Sequence, residues 1–112
     1  MTTFQEREQA FEAKFAHDEE FRFLVTARRD KLVAQWAVEQ LRLSGLPAAD
    51  ITASVMAVRD GAGHDERLLN HIAKVFLEHG GSVQDADFAA LLTRCATQAR
   101  QQILDGSHGG PG

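Results

Sequence analysis

Cysteine is nearly absent from this sequence of 112 residues, and long apolar runs are missing altogether. Cys95 is the only cysteine, so no intrachain disulfide can form and a reducing compartment is expected. No stretch approaches the roughly 20 apolar residues that span a bilayer. Glutamates at positions 6, 8 and 12 interrupt any secretory signal at the N-terminus. We therefore expect a soluble, cytoplasmic protein that does not insert directly into a membrane.

Motifs for the common catalytic chemistries are also missing. There is no GxxxxGK[ST] loop and no GxGxxG following a strand, which argues against the usual phosphate sites. The spacing of His64, His71 and His79 does not match HExxH, so we predict no metal site. Cys95 lies on an apolar helix face, which predicts a buried thiol and not a nucleophile. We predict no catalytic residues, and hence no enzyme activity. The sequence GAGH at 61–64 is interpreted as a helix linker, although its amides could face an anion.

Charge is distributed unevenly along the chain. The overall net charge is −4, with −4 over residues 1–20 and +3 over residues 21–44. An acidic chain is a poor binder of phosphate backbones, so we do not expect a nucleic-acid partner. The basic patch of Arg28, Arg29 and Lys31 is either a solvated helix face or a contact for an acidic partner or a phosphate group. Arg29 falls on the apolar stripe of its helix and needs a carboxylate or phosphate if it is covered. Its candidate partners within the chain are Asp60, Glu66 and Glu78.

Apolar residues at helical spacing predict four helices and no strands. The first is predicted over Phe21 to Leu43, with Gly45 as its stop; the second begins at Pro47 and reaches about Asp60; the third starts at His64 or Asp65 and ends before Gly80; the last carries Phe88 and ends at Gly106. The predicted apolar stripe of the first helix contains Phe21, Val25, Leu32, Trp36 and Leu43, and it is widened by Leu24, Val33, Val38 and Leu41. Short connections favour antiparallel neighbours. The predicted fold is therefore all-α, a four-helix bundle-like domain over 20–105 with Trp36, Phe76 and Phe88 in its core, followed by a disordered tail, 106–112.

Residues 1–19 are predicted to form an N-terminal arm that is flexible or helical. Phe4, Phe11 and Phe15 recur at steps of seven and four and share one helical stripe. Burying the three rings contributes about 5–9 kcal/mol, while ordering the backbone costs about 1–2 kcal/mol per residue. The residues alone leave open whether the stripe packs on the domain or on another protein. The predicted arm contacts are Phe4, Glu6, Arg7, Glu8, Phe11, Glu12, Lys14, Phe15 and His17. His17 stands beside three carboxylates and is predicted to make the contact pH-sensitive.

The run MTTFQEREQAFEAKFAHDEEFRF, followed by TARRDKL and LRLSG, resembles the zeta subunit, the ATPase inhibitor of bacterial F-type ATP synthases. The resemblance is densest from Met1 to Gly45. The glycine-rich linker at 58–66 and the SVQD that opens the last helix depart from the family pattern.

This resemblance implies a four-helix bundle preceded by an inhibitory arm, which enters the catalytic head of the synthase and stops ATP hydrolysis. The implied partners are the catalytic head and the rotor stalk, which would place the protein in the cytoplasm, peripheral to the inner membrane. It also implies a weak ADP or ATP ligand, with no cofactor required. Two alternatives stay open: a small helical module that senses ADP or ATP, and a non-inhibitory assembly or scaffold protein of the synthase.

Overall fold

A computed structural model describes residues 19–106, which form four α-helices. The helices are α1 (Glu19–Gln40), α2 (Gly45–Met56), α3 (His64–Glu78) and α4 (Asp85–Gly106). Residues 19–106 contain no strand, and the all-α prediction is confirmed. None of these helices is long and apolar enough to cross a membrane. The predictions for residues 1–18 and 107–112 lie outside the described residues.

Helix α1 is at the centre of the packing. It lies against both α4 and α2, and α2 also contacts α3. The rings of Trp36 and Phe76 stack with their centroids 5.3 Å apart and their planes at 24°. Phe76 and Phe88 are both buried in the same core cluster, against which Trp36 packs. The predicted sharing of one core by these three aromatic residues is therefore confirmed.

The predicted stripe of α1 is confirmed in part, because Phe21 and Val33 are buried, whereas Leu24 is exposed. Asp30, Val33, Ala34 and Ala37 are buried, and their spacing of three, four and seven places them on one side of the helix. Leu32 and Trp36 are only partly buried and lie beside this face. The prediction missed Asp30, Ala34 and Ala37 on this face because large apolar residues were weighted above alanine. Small side chains on this face let α1 approach its neighbours closely.

The end of α1 corrects the prediction that Gly45 stops this helix. The helix ends at Gln40, and Arg42 takes the left-handed conformation with φ of 56°. The Arg42 N–H donates to the Glu39 carbonyl at 3.1 Å, and the Leu43 N–H donates to the Val38 carbonyl at 3.0 Å. These two bonds form the Schellman motif that commonly closes a helix, with arginine where glycine is preferred. Gly45 instead begins α2.

Replacing Arg42 by glycine is expected to stabilise the domain by about 0.5–1 kcal/mol. A side chain in the left-handed conformation costs about 1–2 kcal/mol, and the greater freedom of glycine in the unfolded chain offsets part of that gain. Urea unfolding followed by the fluorescence of Trp36, the only tryptophan, measures the difference. The matched control is Arg42→Ala, which removes the same side chain but retains Cβ and should not stabilise. An Arg42→Gly midpoint at or below that of Arg42→Ala would contradict the argument.

The other helix ends follow glycine more closely. Helix α3 begins at His64, as predicted, directly after Gly63 with φ of 79°. It ends at Glu78, Gly80 just beyond takes the left-handed conformation with φ of 82°, and the Gly81 N–H donates to the Phe76 carbonyl at 2.7 Å. Helix α2 stops at Met56, about one turn before the predicted Asp60. The linker between α2 and α3 therefore includes Arg59 and Asp60, and their positions matter for the site described next.

Candidate functional site

Asp30 and His64 are the buried polar residues of the part of the chain that the structure describes. Asp30 lies midway along α1 and is 4% exposed, and His64 opens α3 and is 8% exposed. Their side chains meet at 2.6 Å between the Asp30 Oδ2 and the His64 Nε2. The contact connects α1 to the start of α3 across 34 residues of sequence. It links the two helices through polar side chains.

His64 has an acceptor on each side of its ring. Its Nδ1 lies 2.8 Å from the Arg59 carbonyl oxygen, opposite the bond to Asp30. A carbonyl and a carboxylate can only accept, so both bonds are made when both ring nitrogens carry hydrogen. Burial lowers the pKa of His64, but the Arg59 carbonyl and the Asp30 carboxylate outweigh it, and the pKa is raised above its ordinary 6.5. The geometry therefore favours the imidazolium form.

Arg29 and Asp65 complete this group of charges, which we call the ion-pair cluster (Arg29, Asp30, His64 and Asp65). The Arg29 guanidinium donates through Nε to the Asp30 Oδ1 at 3.0 Å and through Nη2 to the Asp65 Oδ1 at 2.7 Å. Two cationic groups thus meet two carboxylates. No buried side-chain nitrogen or oxygen in residues 19–106 lacks a hydrogen-bond partner. Such satisfaction is what makes buried charge tolerable.

The cluster answers the question that the sequence raised about Arg29. Its partners are Asp30 and Asp65, whereas the sequence had offered Asp60, Glu66 and Glu78. The predicted partner Glu66 lies one residue away from the observed partner, Asp65. Asp30 escaped notice because it follows Arg29 directly in sequence. The structure thus places Arg29 in an internal contact, apart from the other two residues of the predicted basic patch.

Arg67, on α3, binds the backbone of the linker between α2 and α3. Its guanidinium makes four hydrogen bonds of 2.7–3.2 Å to the carbonyl oxygens of Arg59, Asp60 and Ala62. His64 binds the Arg59 carbonyl as well. Sequence reasoning missed Arg67, since an arginine on a helix surface gives no sign that it will bind backbone. The glycine-rich linker is consequently held in one conformation against the ion-pair cluster.

A mixed-charge groove of about 480 Å³ adjoins the ion-pair cluster. It is lined by Glu19, Arg22, Phe23, Thr26, Arg29, Asp60, Gly61, His64 and Asp65. A polyphosphate there would meet three carboxylates, and of the three cationic side chains in the lining two, Arg29 and His64, are already engaged in the cluster, which leaves Arg22. The first turn of α3 adds the acidic residues Asp65 and Glu66, which complement the helix dipole themselves. We therefore assign no residue of this groove or of the GAGH linker to ADP or ATP.

A second groove, of about 470 Å³, lies on a different side of α1. We call it the basic-rimmed groove, and its lining residues are Leu24, Ala27, Arg28, Lys31, Met56, Gln102, Ile103 and Gly106. Arg28 donates to the Gln102 Oε1 at 3.2 Å, which ties α1 to the end of α4. The structure thus brings two of the predicted basic residues, Arg28 and Lys31, together at one apolar groove.

Neither Ser54 nor Cys95 forms an activated nucleophile. The Ser54 hydroxyl donates to the Ile51 carbonyl at 2.7 Å, so the 2.8 Å contact to His71 Nε2 is one in which the imidazole donates. A serine activated by a base needs the opposite direction. Cys95 is buried, as predicted, and burial raises the pKa of its thiol, which disfavours the reactive thiolate. Within residues 19–106, no three His, Cys, Asp or Glu side chains are grouped as metal ligands.

The predicted arm contacts, from Phe4 to His17, lie outside the described residues. Helix α1 comes next in the sequence, and its first two turns expose Phe23 and Leu24 to solvent. The ion-pair cluster sits about two turns further along the same helix.

A family model described as ATPase inhibitor subunit zeta matches residues 1–102. No curated protein and no solved structure matches the chain. The matched span includes the N-terminal segment that carries the resemblance, the ion-pair cluster, and α4 up to its last turn. It confirms the family that the first 45 residues indicated. With nearly the whole chain matched, the protein belongs to the family of the ATPase inhibitor subunit zeta.

Proposed function

We propose that the chain is the inhibitor subunit of a bacterial F-type ATP synthase and blocks ATP hydrolysis by inserting residues 1–19 into the catalytic head, against the rotor stalk. The observation that carries the proposal is the family match over residues 1–102, which includes the arm. On this proposal the protein is a regulator with no catalysis of its own. It acts in the cytoplasm and is held at the inner membrane through the synthase.

The four-helix domain supports the proposal because it attaches the arm to a packed core. Val33, Leu68 and Ile72 are fully buried in a core cluster to which all four helices contribute. Helix α1 has 22 residues and is about 33 Å long. It leads from the arm into this core and is tied to α3 through Asp30. A force on the arm is thus transmitted to a packed domain.

The energetics of the arm favour reversible docking. Each buried phenylalanine contributes about 1.5–3 kcal/mol, and each ordered backbone residue costs about 1–2 kcal/mol. Ring burial alone does not drive docking, so the charged contacts and the attachment of the domain must contribute. Because the net balance is small, the arm can be released when synthesis resumes.

Replacing Phe11 and Phe15 by alanine is expected to raise the concentration required for half-inhibition by about 100-fold. A buried aromatic anchor costs more than about 1 kcal/mol when truncated to alanine, and about 1.4 kcal/mol for each of the two rings corresponds together to 100-fold. The measurement is ATP hydrolysis by the isolated catalytic head, titrated with each variant. The matched control is Gln5→Ala/Gln9→Ala, whose positions lie about 100–140° around an arm helix from the phenylalanine stripe.

Inhibition by Phe11→Ala/Phe15→Ala equal to that of the control would contradict the docking mechanism. A wild-type chain that co-purifies with the synthase without slowing hydrolysis would favour the scaffold alternative. Saturable NMR shifts on adding ADP, with hydrolysis unchanged, would favour the nucleotide-sensing alternative. Circular dichroism of both variants establishes that the four helices are retained, since neither substitution falls within them.

A further inference from the structure

The basic-rimmed groove presents apolar surface to solvent. Leu24 is 46% exposed and Met56 is 43% exposed, and Ala27 and Ile103 lie in the same groove. Three helices meet there, so the groove is a concave feature of the packed domain and not the side of one helix. Exposed apolar surface with a charged rim is typical of a site that binds a segment of protein.

The charges at the groove are complementary to the N-terminal arm. Arg28 and Lys31 stand three residues apart on α1 and line the groove. Residues 1–18 carry four carboxylates against two basic residues, and three of their side chains are phenylalanine. An acidic segment with an aromatic stripe fits an apolar floor with cationic edges, because both parts of the contact are matched.

The length of the chain also fits. The groove runs along α1 from Leu24 to Lys31, a rise of about 10 Å, and it starts five residues after Glu19. Phe11 and Phe15 are one helical turn apart, about 6 Å along a helix, so both rings can enter it. Asp18 stands immediately before the first residue of α1. Aspartate is a preferred N-cap residue, so an N-cap at Asp18, with the chain changing direction there, is part of the contact proposed below.

We propose that in the free protein the N-terminal arm folds back along α1 and places Phe11 and Phe15 in the basic-rimmed groove. A short connection gives the arm a local concentration in the millimolar range, so weak contacts suffice to populate the docked form at any protein concentration. The groove and the catalytic head then compete for the same two rings. The apparent strength of inhibition falls by the fraction of arm that is docked. Only this last step rests on the proposed function.

The two methionines of the chain, Met1 and Met56, provide a direct test. With methyl-¹³C methionine in the full chain, the signal of Met56 reports on the groove. A nitroxide attached at Ala10→Cys, in a Cys95→Ala background, is expected to broaden the Met56 signal. The broadening should be lost when Phe11→Ala/Phe15→Ala is added, and it should be unchanged with Gln5→Ala/Gln9→Ala.

The charge contribution is tested by reversing one groove lysine. Lys31→Glu is expected to reduce the paramagnetic broadening of Met56 several-fold, while Lys74→Glu, on the exposed surface of α3, leaves it intact. Equal effects of the two reversals would overturn the assignment of the basic rim.

Three outcomes separate the docking proposal from the inhibitory one. A Met56 signal that the label does not broaden overturns the fold-back contact, even if Phe11→Ala/Phe15→Ala fails to inhibit hydrolysis. Broadening that disappears on dilution shows that the arm occupies the groove of a second copy, which also overturns it. Broadening that is independent of concentration and lost in Phe11→Ala/Phe15→Ala supports it, whether or not that variant still inhibits the ATPase.

Discussion

Replacing Asp30 by alanine should destabilise the four-helix domain by about 3–5 kcal/mol, the usual cost of removing one partner from a buried ion pair. Asp30 is 4% exposed and contacts both Arg29 and His64. Without the carboxylate, two cationic groups face each other inside the fold; Arg29 keeps Asp65 at 2.7 Å, and His64 keeps only the more distant, exposed Asp60 at 3.7 Å. Since small domains are stable by about 5–15 kcal/mol, the variant is close to unfolding. Urea unfolding followed by Trp36 fluorescence measures the loss.

Asp50→Ala is the matched control for this substitution. Asp50 is an exposed aspartate on α2, and surface changes are usually within about 0.5 kcal/mol. A second variant, Asp30→Leu/His64→Leu, removes the carboxylate and the imidazole together. It should be more stable than Asp30→Ala, because replacing a whole buried pair by apolar groups is far less costly than breaking it. If Asp30→Ala costs no more than Asp50→Ala, the cluster does not fasten α1 to α3.

The helices were predictable from the sequence because their main signals are local. Periodic apolar residues predict each of the four, and Gly80 with Gly81 ends α3 as expected. The end of α1 was not predictable in this way. Arginine is unfavourable at a φ of 56°, and Leu43 packs against the core just beyond it. Tertiary packing, which no local pattern reveals, therefore selects the helix end at Gln40 over the glycine signal at Gly45.

The candidate site also has one part that local sequence signals predict and one part that they do not. The grouping of Arg28 and Lys31 follows from their spacing on a helix, and the family is indicated by the N-terminal run. The Asp30–His64 contact joins residues 34 apart, and nothing in the neighbourhood of either residue indicates the other. One signal was present: Asp30 precedes Val33 by three residues and Ala37 by seven, on the face that proves to be buried. A charged residue on such a face requires a partner from another element, and this points to an ion pair without naming His64.

The protonation of His64 couples this contact to pH. In the unfolded chain a histidine titrates near 6.5. In the fold, the pKa of His64 is raised by the Arg59 carbonyl and by Asp30, with Asp60 adding to the effect, although burial opposes them. The groups around the ring are Arg29 and Asp30 on α1, Asp60 in the linker, and Asp65 on α3. The folded state therefore binds a proton more tightly than the unfolded state does. This contribution to stability is fully present below about pH 6.5 and is lost as the pH rises through the folded-state pKa.

The free energy of unfolding is accordingly expected to decrease as the pH rises from about 6 through the raised pKa of His64 in the folded state. The slope for a single proton is at most about 1.4 kcal/mol per pH unit. His64→Gln retains a hydrogen-bonding side chain without the titration, so the difference between the two pH profiles isolates His64 from the other histidines. Urea midpoints for both proteins at several pH values, together with the NMR titration of the His64 ring, provide the measurement. Parallel profiles for the wild-type protein and His64→Gln would show that protonation of His64 does not stabilise the contact between α1 and α3. A wild-type profile that declines relative to the variant would show that the contact between Asp30 and His64 stabilises the fold less once the imidazolium has lost its proton.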